Sequence, residues 1–345
     1  MRIVDLSVAL KAGIASDPPS MLPRIDYVGH REGAEWYVDI FPGLRAEQLP
    51  DGEGPAVENV AISTHNGTHL DAPWHFASTM DGGKPALKID QVPLEWFFSA
   101  GVKLDFRAKP DGYVCKADDV KRELDRIGYA LKPLDIVLIN TAAAAAYGQP
   151  DFLDKGCGMG REATLHLLEQ GVRVTGIDGW SWDAPFSFTR KRFAETGDAG
   201  LIWEGHKASR DIGYCHMEKL TNLDLLPPFG FKVCCFPVKI EAASAGWTRC
   251  VALLDNRACD QKSVSARQRV GHGGQTPPPR VRSSTVAGSD DGEHGRSAGA
   301  RSPITSWRVT SASFRICRCR DGTPQKFVMR KQIMGEIGAA QAGPG

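Results

Sequence analysis

The stretch GREATLHLLEQGVRVTGID, residues 160–178, decides the fold class. Its first two-thirds carry Leu165, Leu167 and Leu168 and end at Gly171, a residue suited to close a helix. Its last third, VRVTGID (172–178), is rich in branched residues and bounded by Gly and Asp, which predicts a strand. The same order occurs upstream. KADDVKRELDRIG (116–128) spaces Val120, Leu124 and Ile127 by four and three before Gly128, and DIVLINT (135–141) comes next. A repeated helix-then-strand order favours an α/β sheet with covering helices over an all-β barrel.

Further strands are predicted at 2–8, 59–65, 101–106, 231–241 and 249–254. Together these elements make residues 1–256 one mixed α/β domain. Beyond that point the composition breaks. Leu254 is the last leucine, and the remaining 91 residues also lack tyrosine but hold twelve arginines and a Pro-Pro-Pro run. Such a segment offers too little apolar surface to offset its ordering entropy, so 257–345 reads as a disordered or non-native tail. Residues 183–205 are aromatic, charged and Gly-punctuated, and read either as a long loop beside an active site or as a plain surface insertion.

Charge and hydropathy narrow the function classes. A formal charge of +1 gives no electrostatic reason to expect a nucleic acid or an anionic membrane surface as partner. No stretch reaches the roughly 18 apolar residues that span a bilayer, and Arg2 and Asp5 interrupt any leader-like run at the start. A cytoplasmic protein is expected. The nine cysteines read as mostly buried free thiols. Cys234 and Cys235, adjacent in a predicted strand, should point to opposite faces, and the lone Cys317-x-Cys319 lacks a second pair at zinc-finger spacing.

The chemistry concentrates in STHNGTHLDAPWHF (63–76), which packs His65, His69, Asp71 and His75 into eleven residues. Spacings of two and four put side chains on one side of extended backbone, and Gly67 and Pro73 supply bends that converge them. Imidazole nitrogen and carboxylate oxygen are ligands for Zn²⁺ or Mn²⁺. A second cluster, GHKASRDIGYCHMEKLTNL (205–223), offers His206, His216 and Glu218, and spacing alone does not choose between the two histidines. Asp178 reads either as a group orienting a ligand histidine or as a turn residue. Trp180 and Trp182 read either as lining an aromatic pocket or as core.

HNGTHLDAPWH (65–75) resembles the H-x-G-T-H-x-D-x-P-x-H signature of the metal-dependent cyclase family, with all seven defining positions kept. That family includes bacterial kynurenine formamidases, isatin hydrolases and proteins labelled polyketide cyclases. Similarity continues through RIVDLSVAL, GIDGWSWD (176–183), EKLTNL and FPVKIEAASAGWTRCVALL, and stops where the composition breaks. The resemblance implies a swivelling β/β/α domain, assembled as a homodimer or tetramer, acting on a small-molecule substrate. It implies two zinc ions, or manganese in the isatin-hydrolase type. His65, His69 and Asp71 would bind one ion, Asp71 and Glu218 would bridge, and His206 would complete the second site. His75 would then be the proton donor and acceptor. The family spacing of twelve residues before the glutamate selects His206 over His216. The activity implied is that of an arylformamidase acting on N-formyl-L-kynurenine in tryptophan catabolism, with a cyclic-amide hydrolase or a cyclase as alternatives. Departures at 20–36 and 183–205 fall where substrate choice would be set.

Overall fold

The computed structural model describes residues 1–255. Nine strands form one sheet, in the order Arg2–Asp5, Val251–Leu254, Phe229–Cys234, Phe98–Asp105, Ile136–Asn140, Val174–Ile177, Cys215–Glu218, His69–Asp71 and Ala245–Trp247. The four strands from Phe98–Asp105 to Cys215–Glu218 run parallel, and the flanking pairs are antiparallel. Parallel neighbours need crossovers. Two of these are the helices Ala117–Ile127 and Arg161–Glu169, at the places the apolar spacing predicts. The first ends in Gly128 with left-handed backbone (φ 67°), which only glycine adopts cheaply.

The central strands are apolar on both faces because both faces are covered. In Ile136–Asn140, Ile136 and Leu138 enter one core with Val4, Leu70, Met217, Phe231 and Ala252, whereas Val137 and Ile139 enter a second with Val120, Leu124, Ala163 and Leu167. Each such buried side chain contributes roughly 1.5–3 kcal/mol. The first core joins residues from strands far apart in the sheet order, which requires the sheet to curl. A bridge between Ser7 and Leu220 shows how far: it links extensions of two strands that have five others between them. The product is a half-barrel closed around the first core.

Three expectations need correction. The expected strand at 59–65 forms instead at Val57–Ala61, and it pairs with Arg24–Val28 in a separate two-stranded ribbon. Its side chains are mostly exposed, so no buried apolar face ties it to the main sheet. The 231–241 strand stops at Cys234, shortly before Pro237, whose missing N–H cannot extend a ladder. Within the expected loop at 183–205 lies the helix Phe186–Thr196, entered from Pro185 and ended by Gly197 at φ 68°. Cys234 is half-buried and Cys235 fully so, and Cys115, Cys157, Cys215 and Cys250 are buried free thiols. No helix among the described residues is long and apolar enough to cross a membrane. The tail at 257–345, with Cys317 and Cys319, lies outside the described residues.

Candidate metal centre

Two neighbouring antiparallel strands supply four of the site's side chains. Their register sets His216 opposite Asp71 and Glu218 opposite His69, with Leu70 and Met217 paired between them. Side chains alternate along a strand, so the two apolar residues enter the core and the four polar ones share the other face. The turn before the strand brings in His65. It depends on Gly67, at φ 60°, where a Cβ would stand 2.7 Å from the Leu10 side chain. The short helix Pro73–Phe76 then returns His75 one turn beyond Asp71, and His206 begins the 3₁₀ turn His206–Arg210.

The cluster is tight and largely buried. His69, Asp71, His206 and His216 are almost fully buried, and Glu218 is 8% exposed. His65 Nδ1 lies 2.9 Å from Asp71 Oδ1, and His69 Nε2 lies 3.3 Å from the same oxygen and 3.7 Å from Glu218 Oε2. His216 Nε2 is 3.3 Å from both Asp71 Oδ2 and Glu218 Oε1, and His206 Nε2 is 3.7 Å from Glu218 Oε1. Asp71 belongs to two sets whose donor atoms lie within 4.8 Å of one another: one with His206, His216 and Glu218, the other with His65 and His75.

The outer ring nitrogens fix the imidazoles. His69 Nδ1 donates to the Gly67 carbonyl at 2.9 Å, and His65 Nε2 pairs with Ser244 Oγ at 3.0 Å. His206 Nδ1 donates to Asp183, which also accepts the backbone N–H of Gly205 (2.8 Å) and of His206 (3.1 Å). For His69 and His206 the bond leaves the opposite nitrogen, Nε2, with its lone pair aimed into the cluster. His216 is clamped between the stacked rings of Phe76 and Trp182 at centroid distances of 4.8 and 5.6 Å.

Electrostatics follows from this crowding. Burial pushes the Asp71 carboxyl up, but the surrounding histidines outweigh it and hold it well below the usual range. Burial alone would lower His216, yet its polar contacts with Asp71 and Glu218 raise it to about 9. His65 is likewise raised by Asp71 against the effect of burial. His75 goes the other way, lowered to about 4 chiefly by burial.

The donor set fits a cation. Among the described residues, His69 Nε2 and both Asp71 carboxylate oxygens are buried without a partner in hydrogen-bond geometry. Such orphaned groups cost about 1–3 kcal/mol each unless something compensates them. Convergent imidazole nitrogens and carboxylate oxygens suit Zn²⁺ or Mn²⁺.

Residues 4–184 match the family model described as "Putative cyclase". The chain belongs to that cyclase family. Its fold is also similar to solved structures. Isatin hydrolase A from Ralstonia solanacearum is 23% identical with a TM-score of 0.57, over 74% of this chain and 92% of that one. Isatin hydrolase A from Labrenzia aggregata, bound to benzyl benzoate, is 21% identical with a TM-score of 0.56, over 73% and 93%. A structure titled as a potential metal-dependent hydrolase with cyclase activity is 17% identical with a TM-score of 0.51, over 74% and 98%. At these identities the likeness is one of fold, and the cyclase family's signature is what this chain folds into its cluster.

The structure therefore brings together His65, His69, Asp71, His75, His206 and Glu218, the six residues that the family resemblance implies. It adds His216, which the family spacing sets aside. A signal for it exists in the sequence: His216-x-Glu218 repeats the alternation of His69-x-Asp71. Asp178 touches no histidine. Its buried carboxylate accepts from Thr141 N (3.0 Å) and Thr141 Oγ1 (2.7 Å), a turn role, and burial raises its pKa to about 6. The orienting carboxylate is Asp183. Trp182 is core, whereas Trp180 lines a cavity.

Proposed function

We propose that this protein is a metal-dependent hydrolase acting on a compact, neutral aromatic amide or lactam. One observation carries the reading: a cavity of about 250 Å³ opens onto His65, His75, His206 and Glu218 and is walled by Trp180, Phe186, Trp203 and Met21. An apolar, aromatic chamber above a few convergent polar groups is the form of a small-molecule site. Among the described residues lining it there is no Lys or Arg to receive a substrate carboxylate. That favours an isatin-type cyclic amide over N-formyl-L-kynurenine, whose amino-acid head is charged.

Asp71 and Glu218 would be shared between two ions, or hold one, with His65, His69, His206 and His216 completing the set. A bound Zn²⁺ or Mn²⁺ would acidify water from a pKa of about 15.7 towards 7 and polarise the scissile carbonyl. His75 stands on the cavity wall, its Nε2 3.9 Å from Asp71 Oδ2, and burial keeps it neutral at pH 7. It can therefore accept a proton at a ring nitrogen and return it to the leaving nitrogen. Trp203, stacked on His206 at 4.7 Å, and Trp180 would hold a planar ring and exclude water.

The test is metal analysis of the purified protein together with an optical assay on isatin, N-formyl-L-kynurenine and simple anilides. The reading expects bound Zn²⁺ or Mn²⁺, turnover of at least one aromatic amide, and loss of turnover with a chelator. A fully metallated protein inert on the whole panel would refute it.

A further inference from the structure

Part of the cavity wall, with Asp17 and Met21, comes from a different part of the chain than the cluster, and a buried lysine joins the two. Lys219, 1% exposed, directly follows Glu218. Its backbone sits in the left-handed region at φ 57°, a conformation unfavourable for a residue with a Cβ. Two bonds anchor it there: its N–H donates to Gly179 O at 2.9 Å, and its carbonyl accepts from Thr68 Oγ1 at 2.8 Å. From this point the side chain reaches past the cluster. Nζ donates to Asp17 Oδ1 and, at 2.9 Å, to the backbone carbonyl of His65.

Asp17 is 3% exposed and lies on the cavity wall. Its Oδ1 also accepts from Trp180 Nε1 at 3.2 Å, and its Oδ2 from Ser16 Oγ at 3.0 Å. A parallel tie runs one residue from His65. The fully buried Asn66 donates from Nδ2 to the carbonyl of Met21 at 2.8 Å and accepts from Ser63 N–H at 2.7 Å. Asp17, Met21 and Trp180 thus reach the cavity through bonds that begin on the turn carrying His65.

We propose that Lys219 is a positioning residue whose ammonium ties the wall bearing Asp17 and Met21 to the His65 turn, setting the cavity's aromatic side in register with the histidine–carboxylate cluster. A buried ion pair adds little net stability over an apolar pair of similar volume. What this one supplies is a fixed relation between three segments distant in sequence: 16–21, 63–67 and 218–219. A wall held in this way keeps its shape before substrate arrives, and that favours binding by reducing what must be ordered on association. The consequence for substrate rests on the hydrolase reading; the tie between wall and turn does not.

The experiment compares wild type, Lys219→Met and the double variant Asp17→Asn/Lys219→Met, all as metallated full-length protein. Three quantities are read: metal content, amide hydrogen exchange by peptide, and steady-state kinetics on whichever aromatic amide the wild type turns over. The expected result is faster exchange confined to residues 12–22 and 63–68, with unchanged metal content. KM should rise by about tenfold while kcat stays within about threefold, the pattern of lost binding without lost chemistry. The double variant has no unpaired buried charge, so it serves if the single one fails to fold, and it should show the same local exchange and the same rise in KM. Wild-type exchange in both segments, or faster exchange spread evenly over the domain, overturns the proposal. If the wild type turns over no compound of the panel, the hydrolase reading fails, and the exchange and metal readouts still decide the role of Lys219.

Discussion

His216 and Asp71 stand directly opposite each other on neighbouring antiparallel strands, with His216 Nε2 3.3 Å from Asp71 Oδ2. The position of His216 between the Asp71 and Glu218 carboxylates, where neither Asp71 oxygen has a partner in hydrogen-bond geometry, gives it a share in any cation they hold. His216→Ala should therefore lower metal affinity by at least the 10–100-fold typical of disturbed ligand shells. Titration with Zn²⁺ against a competing chelator measures this. An unchanged affinity would reduce His216 to a packed wall between Phe76 and Trp182.

His75 predicts the opposite split. Burial lowers its imidazole to about 4, so it is neutral through the physiological range. His75→Ala should leave metal content near the wild-type value and lower kcat by about 10²–10⁴-fold, the usual worth of a general acid–base group. Loss of metal in this variant would move His75 into the ligand set with His65 and Asp71, with which it already shares a cluster.

Asp183 bears on the metal without touching it. It accepts from His206 Nδ1 and from the N–H groups of Gly205 and His206. Asp183→Asn keeps the size but must turn an amide NH₂ towards at least one of these three donors. The His206 ring then loses its fixed orientation, and metal affinity should fall by roughly 10–100-fold with the fold intact by circular dichroism.

Sequence speaks clearly where burial and chemistry repeat at a simple period. Both covering helices and the central strands are legible because apolar residues recur at three and four, or run continuously between Gly, Pro and Asp. His65, His69, Asp71 and His75 are legible through density alone. The strand His69–Asp71 is not, because two of its three residues are polar and buried for chemistry, so apolar patterning passes over it. His216 loses to His206 when the family spacing alone decides, although alternation along the strand admits it with Glu218. Lys219 and Asp17 carry no local signal. Their pairing spans about 200 residues and exists only once the half-barrel closes.

Away from the site, at the start of the helix Ala117–Ile127, Asp119 couples stability to pH. Burial tends to raise its carboxyl. Hydrogen bonds from Lys109 (2.5 Å), the Lys116 N–H (2.9 Å) and Tyr113 (3.0 Å) outweigh it and bring the group to about 2, against an ordinary value of 3.8. The folded state therefore releases this proton more readily than the unfolded chain does. Its stabilisation is present in full above pH 4 and is lost as pH falls through the folded-state value near 2. Lys109 and Arg122 are partly solvent-screened, so the contribution is on the order of 1 kcal/mol. Asp119→Asn should lower the denaturation midpoint at pH 6, and the gap to wild type should close steadily between pH 4 and pH 2. A gap that stayed constant over that range would mean that the carboxyl's charge contributes nothing beyond its hydrogen bonds.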